Sequence, residues 1–273
     1  MNPIAMQRLS VRMLYDWSLT TAIYDTGTDP ILGVEVPAPA RATLTRPPRE
    51  LWRSDPYRQG RMVTALLRVF TATCAWTFVR APDRPLTDFF LSIDFHRSID
   101  ARTSTVRAFG EWLSSTFCDL QEVASLAQLE RALDDVRHAR APLQREPSAS
   151  WSISPHARVL EVSTGTSDVL HATHQRLEAH PISATHAAVH GEWDGGALTI
   201  HRTQKERLLV HHEPNGVANI SRISDPLYEL LAALSSDGPH ATLLAVAAEH
   251  GASAEDLDDL MRDLGEDGVV VHH

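Results

Sequence analysis

Apolar residues return every three or four positions through most of the first 138 residues, and every second position in much of the remaining chain. The first rhythm is that of helices with one buried face, the second that of strands. A first helix is expected over residues 4–24. Residues 26–56 break the rhythm at Pro30, Pro37, Pro39, Pro47, Pro48 and Pro56. Proline at that density stops helices, so an irregular, extended arm is expected there. From Tyr57 a helical face returns in Met62, Leu66, Val69, Phe70 and Thr73, and it runs on through Trp76 and Phe78. The very apolar run TDFFLSIDF (87–95) reads as one buried helix, followed by a polar loop, HRSIDARTST. Val106, Phe109, Leu113 and Phe117 mark another helix, and Val123, Leu126, Leu129, Leu133 and Val136 stripe a long one over 119–138.

Two prolines and a run of small residues in APLQREPSASW (141–151) place a domain boundary there. Beyond it, 157–162 alternates as a strand and 167–178 reads as a short helix. Short alternating runs come after it at 185–190, 197–202, 208–212 and 217–223, with Gly191, Gly195–Gly196 and Asn215–Gly216 between them. Glycine at those junctions signals hairpins. Three helices come next. Asp225 with Pro226 opens the first, His240–His250 forms the second, and Ser253 with Asp256 gives the third a capping box. Leu257, Leu260, Met261 and Leu264 are its apolar stripe, and Val269–His272 reads as a closing strand. The pattern therefore predicts an α+β chain: an N-terminal all-helical domain followed by a C-terminal winged-helix-like module with short antiparallel strands.

Charge changes this picture. Of 25 basic and 35 acidic residues, 18 and 17 lie in residues 1–150, leaving 7 and 18 for the rest. The winged-helix-like half thus carries essentially all of the net charge of −10. Its last helix, the one that would enter a DNA groove, bears Glu255, Asp256, Asp258, Asp259 and Asp263 against Arg262. Phosphate contact requires the opposite sign, which sets a DNA-binding regulator as the runner-up reading. A winged-helix unit that does not hold DNA can take a peptide as an added strand. No apolar run approaches the ~18 residues of a membrane span, and the start lacks a secretory apolar core. A soluble, cytoplasmic protein without nucleic-acid or membrane partners is expected.

Candidate chemistry is sparse. There is no glycine-rich phosphate loop and no nucleophile elbow. The 15 histidines invite a metal. Yet His186 and His190, if on a strand, stand ~13 Å apart at ~3.3 Å per residue. His211 and His212 point to opposite faces, and His171 with His174 lacks an evident third ligand. Cys74 and Cys118 read as small core residues rather than nucleophiles. Asp94, His96, Arg97 and Asp100 form the densest polar cluster of the first half. It reads as a partner-facing loop ahead of an acid/base pair. No catalytic residue and no metal ligand is assigned.

The segment FGEWLSSTFCDLQEVASLAQLERALDDVRHARAPL (109–143) resembles the end of the N-terminal helical domain of the partner proteins of multinuclear non-haem iron-dependent oxidases. The match falls on Phe109, Gly110, Leu113, Leu126, Ala127, Leu129, Glu130, Ala132, Ala139, Pro142 and Leu143. ALLRVFTATCAW (65–76) is similar to another helix of that family but lacks its proline, and SDPLYELLAAL with DLMRDLGEDGVV resembles its terminal module. The likeness is nearest to the thiaglutamate-pathway type and covers residues 57–273. It implies a non-catalytic subunit that binds a ribosomally made precursor peptide and presents its core, a cysteine, to the oxidase. The iron belongs to that oxidase, and no cofactor is expected in this chain. The resemblance implies two domains, 57–145, a helical partner-docking domain, and 151–273, a winged-helix-like peptide-recognition domain; residues 1–56, expected from the pattern to be a helix and proline-rich arm, depart from the family's usual short start. The peptide is expected to pair with 208–212 or 217–223, touching Leu208, Val210, Val217 and Ile220. It would pack on Leu257 and Met261 with Glu255, Asp258 and Asp259 attracting basic residues. Asp94, His96, Arg97 and Asp100 would face the oxidase.

Overall fold

The expected first helix breaks at Asp16, where a carboxylate finds two amides. Asp16 is extended (φ −121°, ψ 107°) and accepts from the N–H groups of Ser18 and Leu19, so α1 (Pro3–Tyr15) stops and α2 (Trp17–Asp25) starts. The computed structural model describes residues 1–139, 151–179, 186, 200–212, 217–235 and 240–272. Within these the chain divides into two units, Met1–Ala127 with His174–Gly196, and Gln128–Thr173 with Ala197–His273.

In the first unit the proline-rich stretch is not an extended arm. It forms a two-residue hairpin, β1 (Thr28–Asp29) with β2 (Val34–Glu35), then helix α3 (Ala38–Leu44) and a 3₁₀ turn at Arg49–Arg53. Val36, Ala40 and Leu44 are buried with Leu9, Met13, Leu19 and Ile23 in one cluster. Proline here shortens elements without preventing them: Pro37, Pro39 and Pro48 lie at the starts of α3 and the 3₁₀ turn, where a missing N–H costs no hydrogen bond. The stretch from Tyr57 divides into α4 (Arg58–Leu67) and α5 (Thr71–Arg80). Phe70 sits at the corner with its ring edge-on to Phe109, 5.6 Å between centroids. The run 87–95 is likewise two elements: a 3₁₀ turn over Leu86–Leu91, and α6 (Ile93–Ala101), capped by Ser92 Oγ accepting from the Phe95 amide. The expected polar loop is therefore mostly helix. Then come α7 (Thr105–Thr116) and α8 (Gln121–Arg137), which belongs to this unit as far as Ala127 and to the second from Gln128 on; its predicted stripe, Val123 to Val136, is buried throughout. Phe89, Phe90, Phe95, Phe109, Trp112 and Phe117 build a continuous aromatic core. Cys74 is buried and Cys118 exposed.

The second unit holds β3 (Trp151–Ile153), β4 (Ala157–Thr164), the first part of α9 (Thr166–Glu178), β5 (His201–His212) and β6 (Ala218–Arg222). Helices α10 (Asp225–Ser235), α11 (His240–Glu249) and α12 (Ala254–Glu266) come next, then β7 (Val270–His272). The sheet runs β4-β5-β6, antiparallel, while β7 pairs with β3 in a sheet of its own. Leu230, Leu231, Leu234, Leu243, Leu257, Met261 and Leu264 meet Ala157 and Leu209 in the core. The side of α12 at Gly265 is left open for Trp151, whose ring lies 3.6 Å from where a Cβ would stand. The chain is thus mixed α+β with small antiparallel sheets. The strands expected at 185–190 and 197–199, the boundary at 141–150 and the glycine turns at 191, 195–196 and 215–216 lie outside the described residues, His186 apart.

Candidate functional site

Helix α12 separates its two faces sharply. The stripe Leu257, Met261 and Leu264 is buried, while Glu255, Asp256, Asp258, Asp259, Asp263 and Glu266 are exposed. Ser253 and Asp256 complete the expected capping box: Ser253 Oγ accepts from the Asp256 amide, and the Asp256 carboxylate accepts from the Ser253 amide. Hydrogen bonds from Ser253 hold the Asp256 carboxyl below the usual range. Arg262 pairs with Asp259 at 2.9 Å, leaving the other acids of the face without a cation on this helix.

At the N-terminal end of the same helix opens an apolar cleft of about 300 Å³. Its walls are Leu227 and Leu230 of α10, Val246 and Ala247 of α11, and Leu257 and Leu260 of α12, with Asp256 and His250 at the polar margin. His250 Nε2 lies 2.7 Å from Glu229. Ser224, two residues past the end of β6, is part of the cleft wall, so the strand leads directly to it.

The sheet corrects part of the expected site. β5 is the middle strand, paired on both sides, so 208–212 has no edge to offer. Leu208 and Val210 are fully buried there. Met261 is 1% exposed and belongs to the core, and Leu257, equally buried, meets the outside only as part of the cleft wall. What remains at the surface is Val217, 59% exposed, with Ile220 on β6, the outer strand among the described residues, and the acids Glu255, Asp258 and Asp259. Pairing of Ile223 N–H with the Arg207 carbonyl sets the ladder so that Ile220 turns its amide outward. That amide donates to Asn219 Oδ1 at 2.8 Å. A side chain thus occupies part of the edge, one way of blunting an outer strand. At the other end of β6, Arg222 donates to Glu206 (3.2 Å), Asp168 (2.5 Å) and Ser167 Oγ (3.1 Å), and the Ser167 amide donates to Glu206 at 3.0 Å.

The polar cluster of the first unit is also rearranged. Arg97 and Asp100 are exposed and Asp94 is half-buried, but His96 is wholly buried. It therefore cannot face an oxidase. Arg12 Nε donates to His96 Nδ1 at 2.8 Å, which leaves the ring's proton on Nε2, 3.1 Å from Asp16 Oδ2. Arg12 Nη1 also meets Asp29 Oδ2 at 2.6 Å. Each aspartate uses its other oxygen locally: Asp16 caps α2, and Asp29 accepts from Ile31 and Leu32. Burial pushes the Asp16 carboxyl up, but hydrogen bonds from His96, Ser18 and the Leu19 amide outweigh it and hold the carboxyl below the usual range. This quartet ties α1, α2, β1 and α6 together. Its sequence signal was Arg12, which shares the buried side of α1 with Leu9 and Met13 at helical spacing.

Among the described residues no group of three or more His, Cys, Asp or Glu side chains is placed to hold a metal ion. His156 and His212 stand with ring centroids 5.6 Å apart, across from each other at the end of the sheet. No single helix among those residues is long and apolar enough to cross a membrane. The chain matches no known family model, and no curated protein matches it.

Proposed function

We propose that this chain is a non-catalytic recognition subunit: it binds a ribosomally made precursor peptide and presents the peptide's core, a cysteine, to a separate multinuclear non-haem iron oxidase. The observation that carries the recognition half is the continuity of three features within the second unit. An outer strand, β6, leads to an apolar cleft, and the cleft opens beside the acidic face of α12. A peptide lying along β6 would place one apolar side chain in the cleft and its Lys or Arg residues over Glu255, Asp258 and Asp259. Backbone pairing supplies affinity in such a mode and the pocket supplies selectivity. The oxidase half rests on the resemblance of residues 109–143 and on exposed Arg97 and Asp100 as a docking face. The same module read as winged-helix would be a DNA reader, but the exposed acids of α12 repel phosphate.

Co-expression with a candidate oxidase and its precursor, followed by size-exclusion chromatography, tests the reading. The three are expected to co-elute, and omission of this chain is expected to abolish turnover of the peptide. A chain that elutes alone and leaves turnover unchanged contradicts it. Sub-micromolar, salt-dependent binding of duplex DNA would favour the DNA-reading alternative instead.

A further inference from the structure

A second cleft lies wholly within the first unit. It measures about 530 Å³ and is walled by Tyr15, Trp17, Trp52, Arg53, Pro56 and Leu91, among others. Its floor is internally satisfied. Arg58 donates to the carbonyls of Leu14 and Trp52, and Gln59 to that of Tyr15. Asp55 is paired with Arg61, which holds its carboxyl below the usual range, and Trp52 Nε1 donates to Tyr24. Arg53 differs. Its guanidinium lies over the Trp17 ring, 5.0 Å from the centroid, and among the described residues it makes no ion pair. Glu50, one turn earlier, is not paired with it. An exposed guanidinium held over an indole face can still offer its forked N–H donors to a carboxylate.

The rim is unusual too. Leu91 of the wall is 52% exposed, and the wall residues Tyr15, Trp17 and Trp52 are half-buried. Trp, Tyr and Arg around a pocket with apolar neighbours is the composition of an interface hot spot. A small molecule held inside would leave this rim in water, whereas a polypeptide segment would cover it.

We infer that this cleft docks a segment of a partner protein that carries an apolar side chain beside a carboxylate. The apolar side chain enters between Trp17 and Trp52, and the carboxylate meets Arg53. Docking here is independent of the role proposed for the second unit.

The test uses the full chain, ¹⁵N-labelled, with Trp indole resonances assigned by Trp→Phe variants. The probe is a capped hexapeptide with Leu-Leu between two Asp residues, set against its counterpart with Lys for each Asp. The acidic peptide is expected to shift the Trp17 and Trp52 indoles saturably, and the basic peptide not. Arg53→Glu is expected to weaken the acidic peptide at least tenfold, while Arg53→Lys keeps part of the effect. Arg53 is exposed, so both variants should fold. No saturable shift, equal shifts from both peptides, or full retention in Arg53→Glu would overturn the inference. So would phenylacetate producing the same shifts at equal concentration, which would make the cleft a small-ligand site.

Discussion

The two units use the same residue types in opposite ways. In the first, Arg12, Asp16, Asp29 and His96 are buried and bound to one another, so their charges hold the fold together. In the second, the acids of α12 stay in water above a cluster of buried hydrophobic residues, and the buried acid of that unit, Glu206, sits elsewhere, held by Arg222 and Ser167. A buried charge is tied to its partners and cannot serve a ligand without loss of structure. An exposed one on a rigid, well-packed helix can be changed with little effect on folding. Charge density by itself is therefore a poor guide to a site. Burial decides which cluster holds the fold and which is available to a partner.

The largest effect is expected from breaking the buried quartet. Arg12→Leu strands the buried Asp29 carboxylate and leaves His96 Nδ1 without its donor, and removal of one partner of a buried ion pair costs about 3–5 kcal/mol. Thermal or chemical denaturation should show that loss, and a near-neutral result would mean that the quartet is not what joins α1, α2, β1 and α6. Within the second unit the contrast can be drawn on one helix. Met261→Ala should cost about 2–5 kcal/mol as a large-to-small core change. Asp258→Lys, three residues away on the exposed face, should leave the denaturation midpoint almost unmoved.

Acid sharpens the comparison. Asp16 is held below the ordinary carboxylate range, so its contribution is fully present above about pH 3.9 and is lost as pH falls through the lower folded value. Stability measured from pH 5 downward should therefore fall, and Asp16→Asn should flatten that fall while lowering stability at neutral pH. An unchanged slope in the variant would remove Asp16 as the source of the acid dependence.

Smaller effects concern binding. The double charge reversal Asp258→Lys with Asp259→Lys should weaken a basic precursor peptide, more at low salt than at high, because exposed charges are screened. Equal affinity at all salt concentrations would separate the acids from recognition. Asn219→Ala should free the outward Ile220 amide and tighten the peptide by a few-fold if the peptide adds to β6. A loss of affinity would mean that Asn219 is itself a contact.

Part of the fold was legible in the residues. Helical spacing located α8, α10 and α12 closely, because each has a clear apolar stripe, and α12 has its capping box as well. The acidic face of α12 could be read directly, since alternation of Leu257, Leu260, Met261 and Leu264 with acids leaves one arrangement that buries the leucines. The break at Asp16 could not, because an aspartate inside a helical pattern becomes a cap only when its second oxygen finds tertiary partners, here the ring of His96. The strand order was equally hidden. Nothing in 208–212 or 217–223 says which lies in the middle, yet that order removes Leu208 and Val210 from any edge. The proline-rich stretch misled for a related reason: its few apolar residues, Val36, Ala40 and Leu44, stand out weakly among the prolines, and only packing against Leu9, Met13, Leu19 and Ile23 of α1 and α2 gives them a place.

The most direct test of peptide recognition by the second unit is amide hydrogen exchange of the full chain with and without a precursor peptide. Protection is expected over 217–223, where the peptide adds to β6, and at the starts of α10 and α12, where the cleft closes on its side chain. Binding without protection there, with slowed exchange confined to the first unit, would contradict it.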